Sequence, residues 1–258
     1  MSVLTRLRST VAADQLVAIA EMRSGDLAPE PAELDALTDC LRAPVTAVRR
    51  LAAETLAALA ETDASARGRL DSALRAPDRT LRWGATYGLS RLGPAPPQSL
   101  PTLLDALGSD DGDVRWATAA ILAAMEHRDA VAEQLVGVAR DGSPAQRKMA
   151  LYCLRDMGRS LPAIDAVLLA AFDDPDVRVR LAAITTLPRV VIDREAASRR
   201  LLAVLDEPHD SLRRAAAAAL GALGLSTPTI RERLRAAAAL GDASLGRAAR
   251  RSLRLLEP

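Results

Sequence analysis

Residues 111–122 read DGDVRWATAAIL, and residues 176–187 read DVRVRLAAITTL. Each begins with an Asp that can cap a helix. Each then carries Arg four residues on, a run of small or aliphatic residues, and Leu seven after the Arg. Asp at a helix start and apolar residues three, four and seven after a fixed point are the marks of an amphipathic helix. The arginine itself recurs as Arg49, Arg82, Arg115, Arg147, Arg180 and Arg213, at spacings of 33, 33, 32, 33 and 33. A second ladder, Leu37, Leu70, Leu103, Leu135, Leu168, Leu201 and Leu234, shortens by one residue at the same step. Two independent ladders that share one deletion define a repeat, which sets the fold before any local feature does.

Each unit reads as helix, tight turn, helix. The leucine ladder marks the first helix, and Leu41, Leu74, Leu107, Phe172 and Leu205 extend its face four residues on. The turn uses breakers and acids such as Pro77-Asp78, Asp110-Asp111-Gly112 and Asp174-Pro175. Gly93, Gly158 and Gly224 stand eleven after their arginines, where a left-handed helix stop is expected. Pro188 falls inside a second helix, where a kink or early stop is expected. The resulting expectation is an all-α solenoid, one domain over residues 1–258. A lone N-terminal capping helix occupies 1–28, and about seven two-helix repeats of roughly 33 residues fill 29–258.

Composition agrees. Hydrophobic residues make up 49% of the chain but aromatic ones only 2%, so the core must be built from Leu, Val, Ile and Ala. The 34 basic and 33 acidic residues leave a net charge of +1, which argues against a generic nucleic-acid binder. Charge is uneven along the chain. Residues 1–66 hold ten acids, Asp26 among them, against six arginines, whereas Arg247, Arg250, Arg251 and Arg254 crowd the last unit. Cys40 and Cys153 are too far apart in the pattern to suggest a disulfide framework, and no apolar run is long enough to span a bilayer. A cytoplasmic protein is expected, with no membrane partner.

The string Asp-x-x-Val-Arg, followed by alanines and a leucine, resembles the HEAT-like repeats of bacterial phycobilisome-lyase type, over roughly residues 30–258. The resemblance implies a superhelix with the second helices on its concave side. It also implies that the arginine ladder is structural, pairing with turn acids and carbonyls of neighbouring units. The ankyrin Thr-Pro-Leu-His motif is absent, and the aromatic positions of TPR helices are mostly unfilled.

Residues for catalysis are sparse. His127 and His209 are the only histidines and fit no metal-ligand spacing. Deoxyhypusine hydroxylases, another HEAT-repeat family, use His-Glu dyads, but this chain has only the reversed Glu126-His127. The HEAT-like alkylpurine DNA glycosylases place an Asp one turn after a key Trp. After Trp83 and Trp116 that position holds Tyr87 and Ala120, so the catalytic acid does not carry over. A lyase-like accessory role in a small-molecule pathway rests on fold analogy alone. No catalytic residue, metal or cofactor is expected.

On a helical wheel, positions one and five after the ladder arginine point away from the buried stripe. Trp83, Tyr87, Trp116 and Tyr152, four of the five aromatics, occupy those positions in three consecutive units. Arg91, His127, Lys148 and Arg155 fall near the same face. Aromatics beside arginines are the usual makeup of a binding hot spot. These eight residues are therefore the expected binding surface of a non-catalytic scaffold. A protein partner is favoured over nucleic acid. The competing reading is that the rings fill gaps between second helices.

Overall fold

The computed structural model describes residues 1–25, 28–240 and 242–257. Asp26, the boundary of the expected cap, and residue 258 lie outside them. Among the described residues the chain is all-helical. Helix packing groups it into two compact units, Met1–His127 and Arg128–Pro258. The first holds α1 (Val3–Leu7), α2 (Ala12–Ser24), α3 (Pro31–Asp39), α4 (Thr46–Ala60), α5 (Ala64–Ala73), α6 (Arg79–Leu92), α7 (Leu100–Ala106) and α8 (Gly112–Ala124). The second holds α9 (Arg128–Asp141), α10 (Pro144–Met157), α11 (Pro162–Ala170), α12 (Val177–Val190), α13 (Arg194–Val204), α14 (Asp210–Leu223), α15 (Pro228–Ala239) and α16 (Ala243–Leu255). From α3 onward each odd-numbered helix pairs with the even-numbered one after it, which makes seven two-helix repeats.

Local chemistry explains where these helices begin and end. The residue four before each ladder position is the N-cap of the second helix. Asp78 accepts from the Leu81 amide, Asp111 from Asp113 and Val114, Asp176 from Arg178, and Asp242 from Ser244 and Leu245. Ser143 forms a capping box with Gln146 at the start of α10. Such caps are worth about 1 kcal/mol each. Gly158 and Gly224 stop α10 and α14 in the left-handed conformation. Gly93 differs: it ends α6 at φ 158° and ψ −170°, and the chain turns out into a proline-rich link. The early stop expected at Pro188 is not seen. Pro188 sits near the end of α12, which runs through it to Val190.

The core is the leucine ladder. All seven ladder leucines are 0% exposed, and burial of such a side chain stabilises by roughly 1.5–3 kcal/mol. Leu41, Leu74, Leu107, Phe172 and Leu205, four residues on, are buried with them. The first helix of each repeat is therefore held by its apolar stripe, and the second helix packs across it.

The cap is not a lone helix. Ser9 breaks it: its hydroxyl donates to Asp14 (2.8 Å) and accepts the Val11 amide (3.1 Å), which offers the backbone an alternative to a continued helix. The two halves fold back, α1 against α3 and α2 against α4. The pair takes the places of a first and a second helix, so the cap is a shortened repeat whose sequence has lost the pattern. The Cys40 thiol donates to the Leu7 carbonyl at 3.6 Å and ties the cap to the first full repeat.

Candidate functional site

The ladder arginines fold back onto their own turns. Arg49 donates to the Ala43 and Pro44 carbonyls (2.8 and 2.9 Å), Arg82 to Ala76 and Pro77 (2.8 and 2.7 Å), and Arg147 to Gly142 (2.8 Å). Arg115 donates to Ser109, and Arg180 to Phe172. Arg213 reaches only the nearby Asp210, at 3.3 Å. Two of the six also clip the next repeat. Arg147 makes a two-toothed bridge to Asp174 (2.7 and 2.8 Å), and Arg180 pairs with Glu207. Arg49 behaves otherwise: its nearest acid is Asp111, two repeats on, at 3.5 Å. Asp111 also accepts from the Thr46 hydroxyl, which helps hold its charge below the usual carboxylate range. The N-terminus of α8 is thereby drawn to the start of α4.

This displacement shapes the surface between α6 and α8. The α4–α6 contact is extensive, but α6 and α8 share a much smaller one. Trp83 forms it: the indole N–H donates to the buried Thr118 hydroxyl at 2.9 Å. Trp83 also stacks on Tyr87, with ring centroids 5.4 Å apart. The Tyr87 hydroxyl donates to Glu54 at 2.8 Å and accepts from Arg50 Nε and Nη2 at 3.2 and 3.1 Å. Burial pushes the Tyr87 phenol above its ordinary value, and the bond to Glu54 adds to this. The phenol therefore stays protonated at neutral pH and serves as a hydrogen-bond donor.

The expectation that the whole stripe lies bare is corrected here. Trp83 and Tyr87 are only 4% and 5% exposed, because Arg50 and Glu54 of α4 and Thr118 of α8 close over them. They fill the gap between neighbouring second helices. Trp116, in the matching position of α8, is 52% exposed. One sequence position thus has two environments.

Beyond the Trp83–Thr118 contact lies a cleft of about 490 Å³. Arg50, Tyr87, Ser90 and Arg91 form its polar wall. Ala117, Ala120, Ile121 and Ala124 of α8 face them, and Gly93–Pro94–Ala95 close one side. The alanines are too short to cross the space. Arg91 thus joins Tyr87 at one opening, while His127 stands exposed at the end of this unit with φ 54°. Lys148, Tyr152 and Arg155 lie together on α10 of the second unit. There the Arg155 guanidinium sits 4.8 Å from the Tyr152 ring centre and pairs with Asp156. Arg50 and the alanine wall were missed in sequence. Arg50 could have been found, since it occupies the same position after its ladder arginine as Trp83 and Trp116.

Catalytic chemistry has little to work with. Burial pushes the Cys40 thiol up to about 11 and the Cys153 thiol up to about 12, so neither is a thiolate at neutral pH. Among the described residues no three His, Cys, Asp or Glu groups converge to hold a metal, and no helix is long and apolar enough to cross a membrane.

Comparison with known proteins accords with the geometry. A family model described as HEAT repeats matches residues 34–121. The curated proteins give no match. Among solved structures, the YibA protein of Escherichia coli is similar at TM-score 0.64 and 15% identity, covering 98% of this chain and 91% of its own. An engineered protein matches at TM-score 0.53 and 20% identity, over 99% of this chain and 78% of its own. The complex of CpcE and CpcF of phycocyanin lyase from Nostoc matches at TM-score 0.52 and 20% identity, over 60% of this chain and 97% of that one. At these identities the structural likeness concerns the fold alone. Two ladders in one register, buried leucine faces and a direct match over residues 34–121 make this chain a HEAT-like repeat protein.

Proposed function

We propose that the chain is a non-catalytic binding scaffold that holds a segment of a partner protein on the second-helix face of its first unit. One observation carries this reading: Trp116 presents 52% of its surface to solvent beside an open cleft. A chain with five aromatics places its most exposed one where the core does not require it. Exposed Trp next to Arg is the composition of an interface anchor. Arg91 and the accessible edge of the Trp83–Tyr87 stack complete that surface, and His127 extends it. Lys148, Tyr152 and Arg155 are proposed as a further contact within the second unit. One of the proteins similar in fold is itself a complex of two chains, which fits a partner-binding role. The scaffold needs no cofactor, and the cytoplasm is its proposed compartment. A DNA glycosylase-like reading is less favoured, because Tyr87 and Ala120 stand where the acid would be.

The test is photocrosslinking in the native cell. A benzophenone amino acid at position 116 should give one discrete adduct, and the same group at Ser72, exposed on α5, should give none. No adduct at 116, or equal adducts at both positions, would refute the partner surface.

A further inference from the structure

We propose that the cleft between α6 and α8 binds a small organic anion with an apolar body. The volume, about 490 Å³, lies in the range of small-molecule sites, roughly 300–1,000 Å³. The two walls differ in chemistry. One carries two guanidiniums, a phenol and a hydroxyl, from Arg50, Arg91, Tyr87 and Ser90. The other is methyl-lined, from the alanines of α8 and Ile121. No acid is among the lining residues. A mere packing fault between Ala-rich helices would be apolar on both sides.

The positive charge is also unspent. Arg50 is bonded to the neutral Tyr87 hydroxyl rather than to a carboxylate, and that hydroxyl gives its own proton to Glu54. Glu54 and Asp113 act on Arg50 only through space. Arg91 is exposed and forms no ion pair with a described residue. A carboxylate or phosphate placed between the two guanidiniums would take charge-assisted hydrogen bonds from both. The apolar remainder of the ligand would cover the alanine wall. Arg50 is held in place by Tyr87, which is itself fixed by the Trp83 stack, so much of the site is ordered before a ligand arrives.

This inference does not depend on the partner surface, since a cleft can hold a metabolite whether or not Trp116 meets a protein. The test uses the full chain and two dyes: anilinonaphthalene sulfonate, which is anionic, and its uncharged relative N-phenyl-1-naphthylamine. The anionic dye should bind once per chain. Arg91→Gln should weaken it about tenfold while leaving the uncharged dye and the melting curve unchanged. Ala120→Trp should fill the cleft and abolish both. Succinate and citrate should displace the anionic dye, and an Asp/Glu-rich decapeptide should not. Equal anionic-dye binding by the native chain and either variant overturns the proposal. Displacement by the peptide alone also overturns it, because it would assign the cleft to an acidic side chain of a partner.

Discussion

In the second unit the arginine ladder latches each repeat to the next from α10 to α14, whereas in the first it does not. Arg147 and Arg180 find Asp174 and Glu207 at the start of the following second helix. Those acids stand 27 residues after their arginines. The same spacing from Arg49 and Arg82 leads to Ala76 and Ser109. The consequence is visible at Arg49, whose buried Nε has no acceptor. Arg213, where the matching residue is Leu240, shares that defect. Deprived of a near acid, Arg49 turns to Asp111, and α8 is drawn toward α4 instead of lying along α6. The cleft is what this leaves. Identical residues in identical positions thus build a continuous face in one unit and an opening in the other. The acid one repeat ahead makes the difference.

Three substitutions probe that contrast, from the largest effect to the smallest. Trp83→Ala should cost about 3–5 kcal/mol, because it removes a buried ring and leaves the buried Thr118 hydroxyl without its partner. Trp116→Ala should cost less than about 1 kcal/mol, as expected of an exposed side chain. Urea denaturation of both variants measures the difference. Equal losses would mean that the two positions do not have separate environments. Asp174→Ala should cost about 3 kcal/mol, since it strands Arg147 without its carboxylate in a half-buried setting. Ser109→Ala, at the corresponding place in the first unit, should change urea stability by less than about 1 kcal/mol. The smallest effect should be a gain. Ala76→Asp recreates at residues 76–78 the Asp-Pro-Asp of residues 174–176 and offers Arg49 Nε an acceptor. It should stabilise by about 1 kcal/mol. Asp111→Ala should then cost less in that background than in the native chain, which a double-mutant cycle would record. Strict additivity would show that Arg49 does not exchange one acid for the other.

The candidate site was legible as a set of positions and not as a set of environments. The wheel that placed Trp83, Tyr87 and Trp116 on one stripe was drawn for an isolated helix. It had no way to include Arg50 and Glu54 reaching over from α4, or Thr118 from α8. The capping segment shows the same limit. Its length suggested one helix, yet Ser9 and Asp14 divide it, and only the seats beside α3 and α4 make the two halves a repeat.

What the chain alone determined is the class of structure: the 33-residue period, the seven leucines that stay dry, the Asp and Ser caps, and the glycine stops at 158 and 224. All of these are set by residues within a turn or two of one another, and the repetition writes them several times over. Tertiary structure decided which acid each arginine meets, which indole is covered, and where two second helices part. Those outcomes depend on side chains 27 to 62 residues apart, brought together only when one repeat packs on another.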